Sequence, residues 1–207
     1  MTNCVPSMIE VELKFPCADH ESMHRMLVDL GAIRGPDETH QDLYFRHPCR
    51  DFVQTREALR IRRVKIETTG TADGGPAEFE SRVTYKGPHL PGGVKAREEL
   101  EWCISPSDAR GEYQERLLVL LGFEPVAIVT KERRSFGIVY QGREVTVTLD
   151  EVEGVGKYVE VEIVAEGLDD MPNARQVVTR LTMELGLSEP ESRSYLSMLL
   201  ANREGAA

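Results

Sequence analysis

Apolar and polar residues alternate along much of the chain with a period of two. In Glu10-Val11-Glu12-Leu13-Lys14 the charged positions fall on one face and Val11 and Leu13 on the other. That period belongs to an extended strand, whose successive side chains point to opposite sides. The same alternation, with β-branched and aromatic enrichment, predicts strands over 8–15, 41–46, 58–67, 79–86, 96–104, 126–139, 143–151 and 157–165. Gln141-Gly142 is a tight-turn signal between two of them. Helical spacing falls between and after the strands. Asp19 or Ser22 can cap a helix that runs to about Leu30 and stops at Gly31. Ser107 or Asp108 opens a second that ends near Leu121-Gly122, residues 173–185 form a third, and 192–201 a short fourth.

Mostly consecutive strands with a few helices predict an antiparallel α+β domain, and eight strands suffice for a closed β-barrel with helices packed outside. The clearest loops are Thr68–Pro76 and 88–93, both rich in turn formers and both flanked by extended segments. No repeat, long linker or low-complexity tract divides the 207 residues, so one domain over 1–207 is expected.

The strand alternation repeatedly puts charge on one face. Arg60 and Arg62 share a face, with Leu59 and Ile61 opposite. Arg97, Glu99 and Glu101 lie opposite Leu100 and Trp102. Lys131 and Arg133 share a face, as do Glu160 and Glu162, while Thr84 and Lys86 lie together and Asp150 closes another strand. Two structures accommodate this pattern. The charged faces can be wet and the apolar faces the core. Alternatively the apolar faces point outward under helices, and the charged faces line a lumen. The apolar stripes of the helices need a surface to pack on, which favours the lumen.

A lumen of mixed charge is costly when empty, because buried charges need partners. A polyphosphate carrying Mg²⁺ or Mn²⁺ would satisfy both signs, with carboxylates on the hard cation and lysine or arginine on the phosphate oxygens. The net charge of −10 argues against a nucleic-acid polymer as partner, yet leaves room for a local basic cluster. No apolar run reaches the length of a membrane span, and the N-terminus has no secretory pattern. Cys4, Cys17, Cys49 and Cys103 are scattered without ligand or disulfide spacing, as expected of a reduced cytoplasmic protein.

These residues resemble the CYTH, or triphosphate tunnel, superfamily, which includes class IV adenylyl cyclases, thiamine triphosphatases and inorganic triphosphatases. Glu10-x-Glu12-x-Lys14 looks like its signature strand. Asp42-Leu43-Tyr44-Phe45, Leu59-Arg60-Ile61-Arg62, Thr84-Tyr85-Lys86-Gly87-Pro88 and Lys95-Ala96-Arg97-Glu98-Glu99-Leu100-Glu101 follow in order. Lys131-Glu132-Arg133-Arg134, the run from Leu149 to Gly156, Tyr158-Val159-Glu160-Val161-Glu162 and Ser194-Tyr195-Leu196 complete the set. The resemblance spans about residues 8–200.

The resemblance implies a tunnel enzyme with Mg²⁺ or Mn²⁺, two ions, and a small triphosphate such as ATP or inorganic triphosphate as substrate. Glu10, Glu12, Asp150, Glu160 and Glu162 would hold metal, directly or through water. Lys14, Arg60, Arg62, Lys86, Lys131 and Arg133 would grip phosphate, with Arg97 on the same interior. Glu10, Glu12, Lys14, Arg133, Asp150 and Glu160 are the implied catalytic set. Tyr44 and Asp42 read as structural, Gly154 and Gly156 as a turn, and Arg63, Lys65 and Arg134 as surface residues. The last helix is expected to plug one end of the barrel or to pack on its outer wall, and a homodimer is expected because family members are often dimers.

Two reactions share such a site. A cyclase turns the ribose 3′-hydroxyl of ATP onto the α-phosphorus. A triphosphatase turns water onto the terminal phosphorus. The Lys-Ala-Arg-Glu-Glu run, Lys-Gly-Pro and Ser-Arg-Ser-Tyr-Leu resemble the cyclase branch most. A non-catalytic polyphosphate or nucleotide sensor is the third reading, which the full acidic set disfavours.

Overall fold

The alternation of β1 (Ile9–Pro16) continues around a closed surface. In the computed structural model, which describes residues 8–67 and 78–205, eight strands form an antiparallel barrel. The others are β2 (Ile33–Arg46), β3 (Ala58–Glu67), β4 (Glu78–Lys86), β5 (Lys95–Cys103), β6 (Glu124–Tyr140), β7 (Arg143–Val152) and β8 (Gly156–Ala165). Around the barrel the order is β1-β5-β4-β3-β2-β6-β7-β8, closing back on β1. Closure leaves no sheet edge along the paired lengths and turns one face of every strand inward.

The outward face is the apolar one. Ile9 and Val11 of β1, Val147 and Leu149 of β7, and Val159, Val161 and Ile163 of β8 form one buried cluster. It is covered by α1 (His20–Asp29) through Met23 and Leu27, and by α4 (Met171–Glu184) through Ala174, Val177, Val178 and Leu181. Each such large side chain contributes about 1.5–3 kcal/mol when removed from water. A second cluster joins Leu43, Phe45, Leu59, Ile61 and Val83 to Phe52 of the one-turn helix α2 (Phe52–Thr55), with Leu118 of α3 (Glu112–Leu120) packed against it. The third cluster is different. It joins the inward residues Tyr44, Val129 and Val152 to Tyr195, Met198 and Leu199 of α5 (Tyr195–Glu204), so the last helix packs into one mouth of the barrel. Of the two expected positions for this helix, the plug is the one adopted.

Three elements depart from the pattern reading. Strand β2 begins at Ile33, well before residue 41; Gly35-Pro36 interrupts its alternation where the register with β6 shifts between Arg34 and Asp37, which hides its first half from the pattern. The helix expected to open at Ser107 or Asp108 instead makes a short 3-10 turn, Pro106–Asp108, and then α3. Asp108 still caps that helix from a distance, its carboxylate accepting from the backbone N–H groups of Glu112, Tyr113 and Gln114. Helix α2 was absent from the pattern; Asp51 caps it by accepting from the N–H groups of Val53 and Gln54. Gly154 has a φ of +71° in the β7–β8 turn, with Leu199 3.2 Å from where a Cβ would stand, so both the turn and the docking of α5 require glycine there. The Thr68–Pro76 loop lies outside the described residues.

Candidate functional site

The inward faces enclose a tunnel of about 1280 Å³. Eleven of the twelve anticipated site residues line it: Glu10, Glu12, Lys14, Arg60, Arg62, Lys86, Arg97, Lys131, Arg133, Glu160 and Glu162. Asp150, the twelfth, is 0% exposed and lies beneath two of these cations. Strand register brings them together. Across neighbouring strands, Glu12 stands opposite Glu162, Lys14 opposite Glu160, Arg133 opposite Asp150, and Lys86 opposite Glu99.

The charges sort into three groups. On β2 and β3, the carboxylate of Asp42 accepts from Arg62 Nε at 2.7 Å and Nη2 at 2.8 Å, and from Arg60 Nη1 at 3.3 Å. Against the burial that pushes it up, these guanidiniums hold the Asp42 carboxyl well below the usual carboxylate range. On β6, β7 and β8, Asp150 accepts from Lys131 Nζ at 3.0 Å and from both Arg133 Nε and Nη2, at 2.7 and 2.6 Å. Glu160 takes Arg133 Nη2 at 2.7 Å. Burial, reinforced by Arg133, pushes the Lys131 ammonium down to about 8.

The third group is acidic. Glu10 and Glu12 of β1 meet Glu99 and Glu162. Lys86 Nζ lies 2.5 Å from Glu10 and 2.7 Å from Glu99, but Lys95 and Arg97 approach Glu12 only to 3.5 and 3.6 Å. Glu162 has no ion-pair partner among the described residues. Burial first, and then Glu10, push its carboxyl up to about 8. A carboxylate with too little positive charge around it is what a cation would correct, so this donor set fits a hard, oxygen-seeking metal. Among the described residues no three acidic, histidine or cysteine side chains stand in ligating geometry, and Lys86 bonds closely to Glu10 and Glu99.

The inward parity of β2 also brings residues that the sequence reading passed over. Glu38 and His40 line the tunnel beside Asp42, and Arg82 of β4 joins it beside Thr84. Had β2 been started before residue 41, the alternation Glu38-His40-Asp42-Tyr44 would have found the histidine. His40 is 3% exposed, and its Nε2 lies 2.7 Å from Glu38 Oε2. Burial, then Arg62, Lys131 and Arg133, hold the ring neutral by lowering its proton affinity far below the ordinary value.

This has a consequence for acid stability. The unfolded chain protonates the histidine near its ordinary value of about 6.5, whereas the folded chain resists until far lower. Stability from His40 is therefore complete above about pH 6.5 and drains away as pH falls below it, by up to about 1.4 kcal/mol per unit. His40→Gln should flatten the fall in urea midpoint between pH 7 and pH 5 relative to the parent. An equal fall in both proteins would show that the ring is protonated in the folded state too.

Where notable residues were expected on the outer face, they lie there. Arg63 pairs with Glu115 of α3, and Arg134 with Glu21 of α1. No helix among the described residues is long and apolar enough to cross a membrane.

Comparison with known proteins agrees with this geometry. The CYTH domain model matches residues 8–195. A protein of Methanocaldococcus jannaschii, provisionally named an adenylate cyclase, is 30% identical over 193 residues, covering 92% of this chain and 98% of its own. The PH1819 protein of Pyrococcus horikoshii OT3 superposes with a TM-score of 0.78 at 37% identity, covering 94% of this chain and 99% of its own. A Hippeastrum protein, provisionally an adenylyl cyclase and described as having a dominant triphosphatase activity, shares the fold at 19% identity. Its TM-score is 0.60, with 94% of this chain and 95% of its own covered.

Proposed function

The chain belongs to the CYTH domain family, and from that premise we propose that it is a metal-dependent enzyme acting on a small triphosphate inside its barrel, as a class IV adenylyl cyclase that converts ATP to 3′,5′-cyclic AMP and pyrophosphate. The observation that carries the reading is the separation of charge within one lumen. A cluster of carboxyl groups, Glu10, Glu12 and Glu162, the last with no ion-pair partner among the described residues, faces the same space as two cation groups, each organised on a buried aspartate. One side suits a hard cation and the other suits phosphate oxygens.

The geometry supports the following roles. Arg60 and Arg62, fixed by Asp42, and Lys131 and Arg133, fixed by Asp150, present donors that need no reorganisation when phosphate enters. Lys14 and Lys86 add charge, and Arg97 extends the basic wall toward Glu10 and Glu12. Glu10, Glu12 and Glu162 would hold Mg²⁺ or Mn²⁺; Glu160, bonded to Arg133, would join them only by leaving that arginine, and Asp150, buried beneath Lys131 and Arg133, would act through those cations. The ions supply charge neutralisation for the phosphate oxygens. In the cyclase reaction the ribose 3′-oxygen bonds to the α-phosphorus, the bond from that phosphorus to the bridging oxygen of pyrophosphate breaks, and the hydroxyl proton passes to a base. The alternative, water attacking the terminal phosphorus, uses the same lumen, and the activity described for the Hippeastrum protein keeps it as the second reading.

Product analysis decides between them. The protein is incubated with ATP, and separately with inorganic triphosphate, each with Mg²⁺ or Mn²⁺. Cyclic AMP with pyrophosphate supports the cyclase. Inorganic phosphate without cyclic AMP makes it a triphosphatase. Binding without turnover of any triphosphate overturns the enzymatic reading in favour of a sensor.

Arg133→Lys tests the phosphate grip. Lysine keeps the charge but loses the planar fork that spans Asp150 and Glu160. The expected result is about a tenfold weaker affinity for inorganic triphosphate, about 1.4 kcal/mol, read by calorimetry with the barrel still folded. An unchanged affinity removes Arg133 from the grip.

A further inference from the structure

Lys14 is held differently from the other tunnel cations. It is 3% exposed, and among the described residues no carboxylate lies within ion-pairing distance of it, the carboxylates of Glu160, Glu12 and Glu191 acting from farther away. Its ammonium instead donates to the backbone carbonyl of Arg193 and faces two aromatic rings, with Nζ 4.2 Å from the centroid of Tyr195 and 5.8 Å from that of Tyr158. Lys131 approaches Tyr195 as well, its Nζ 5.3 Å from the same centroid. With Glu160, opposite it in the β1–β8 register, Glu12 and Glu191 acting only at longer range, a cation held by a carbonyl and by ring faces keeps more of its charge for an incoming anion than an ion-paired one. A carboxylate in their place would cancel that charge.

The tyrosine is fixed by the helix it begins. Ser194 caps α5, its side chain accepting from the N–H of Ser197 at 3.1 Å, which sets Tyr195 at the first helical position. The ring packs edge-on against Tyr158, with centroids 5.4 Å apart, and joins the cluster that holds α5 in the mouth. Tyr195 is 7% exposed and lines the tunnel, and its buried hydroxyl lies toward Asp150 without a well-formed hydrogen bond. The ring stands against two lysines far apart in the sequence.

We propose that Tyr195 is a positioning residue of the phosphate site, its ring seating the ammonium groups of Lys14 and Lys131 so that both face a bound triphosphate. This rests on the proposed reading of the tunnel as a triphosphate site. Helix α5 is then more than a stopper, because its first residue sets the geometry of two phosphate-binding cations.

The test is calorimetric binding of inorganic triphosphate, with and without Mg²⁺, to the full chain and three variants. Y195L removes the ring and should weaken binding tenfold or more. Y195F keeps the ring and should recover affinity to within about threefold of the parent. Leu199→Ala loosens the same helix without touching either lysine. It should lower the thermal midpoint at least as much as Y195L while weakening binding less than threefold. Y195M, whose unbranched side chain adapts better to the space the ring leaves, takes the place of Y195L if that variant does not fold. The assignment is overturned if Y195L binds as the parent does, if Y195F loses as much as Y195L, or if Leu199→Ala loses as much affinity as Y195L. A parent protein that binds no triphosphate under either condition overturns the tunnel reading itself, which is a separate failure.

Discussion

Glu12→Gln should reduce turnover a hundredfold or more while the barrel remains folded. Glu12 is buried among like charges. It stands opposite Glu162 in the β1–β8 register and two positions from Glu10 on the same inward face. Its own cationic contacts are loose, at 3.5 Å to Lys95 and 3.6 Å to Arg97, beyond hydrogen-bonding geometry for so polar a site. Burial and Glu10 push the Glu12 carboxyl up, but Lys86, Arg97 and Lys95 together outweigh them and hold it below its ordinary value, so the amide gives up some of that attraction and the thermal midpoint should fall modestly. The loss falls on catalysis, because a neutral oxygen replaces a charged one in the set that fits the cation. A hundredfold corresponds to about 2.7 kcal/mol of barrier, within the charge stabilisation that a bound metal supplies. Turnover is measured with saturating Mg²⁺ and again with saturating Mn²⁺. Full activity at saturating metal would remove Glu12 from the ligand set.

Much of this architecture could be read from parity. Once β1 was recognised as a strand, Glu10, Glu12 and Lys14 had to share a face, and the same reasoning placed Arg60 with Arg62 and Glu160 with Glu162. Parity could not say which face was inside. That depends on where α1 and α4 dock, and the packing of Leu27 and Leu181 against the outer side of the sheet settles it in the fold. Nor could it give the order of strands, because the pairing of β1 with β5 and of β2 with β6 joins segments far apart in the chain. His40 was missed for a local reason: Gly35-Pro36 and the register shift beside it hid the first half of β2. Tyr195 was visible as part of a motif, but its place against Lys14 and Lys131 comes from the docking of α5, which no periodicity encodes. Asp150 shows the same limit from the other side. Its parity pointed into the lumen, whereas the side chain lies beneath Lys131 and Arg133 and does not reach the tunnel surface.

The second large effect is expected at Asp42, a residue that touches no part of the tunnel surface. Asp42→Ala should destabilise the protein by about 3–5 kcal/mol, the usual cost of removing one partner from a buried ion pair. The side chain is 2% exposed and serves two guanidiniums, making a fork with Arg62 at 2.7 and 2.8 Å and a longer contact with Arg60 at 3.3 Å. Without it, Arg60 and Arg62 remain buried beside Lys131, their mutual repulsion offset only by the more distant Glu99 and Glu101. Asp42→Asn should cost less, since the amide oxygen still accepts one bond from Arg62 and the cavity stays filled. The measurement is the urea midpoint of each variant, with the slope of the transition checked against the parent. A loss below about 1 kcal/mol for Asp42→Ala would mean that water reaches the guanidiniums and that their charge is never truly buried. The same experiment with inorganic triphosphate present carries the functional half of the argument. An anion that binds only the folded state stabilises it, and it does so most where the protein's own anion is missing. Triphosphate should therefore restore a larger share of stability to Asp42→Ala than it adds to the parent, because the phosphate oxygens take over the charge that Asp42 supplied to Arg60 and Arg62.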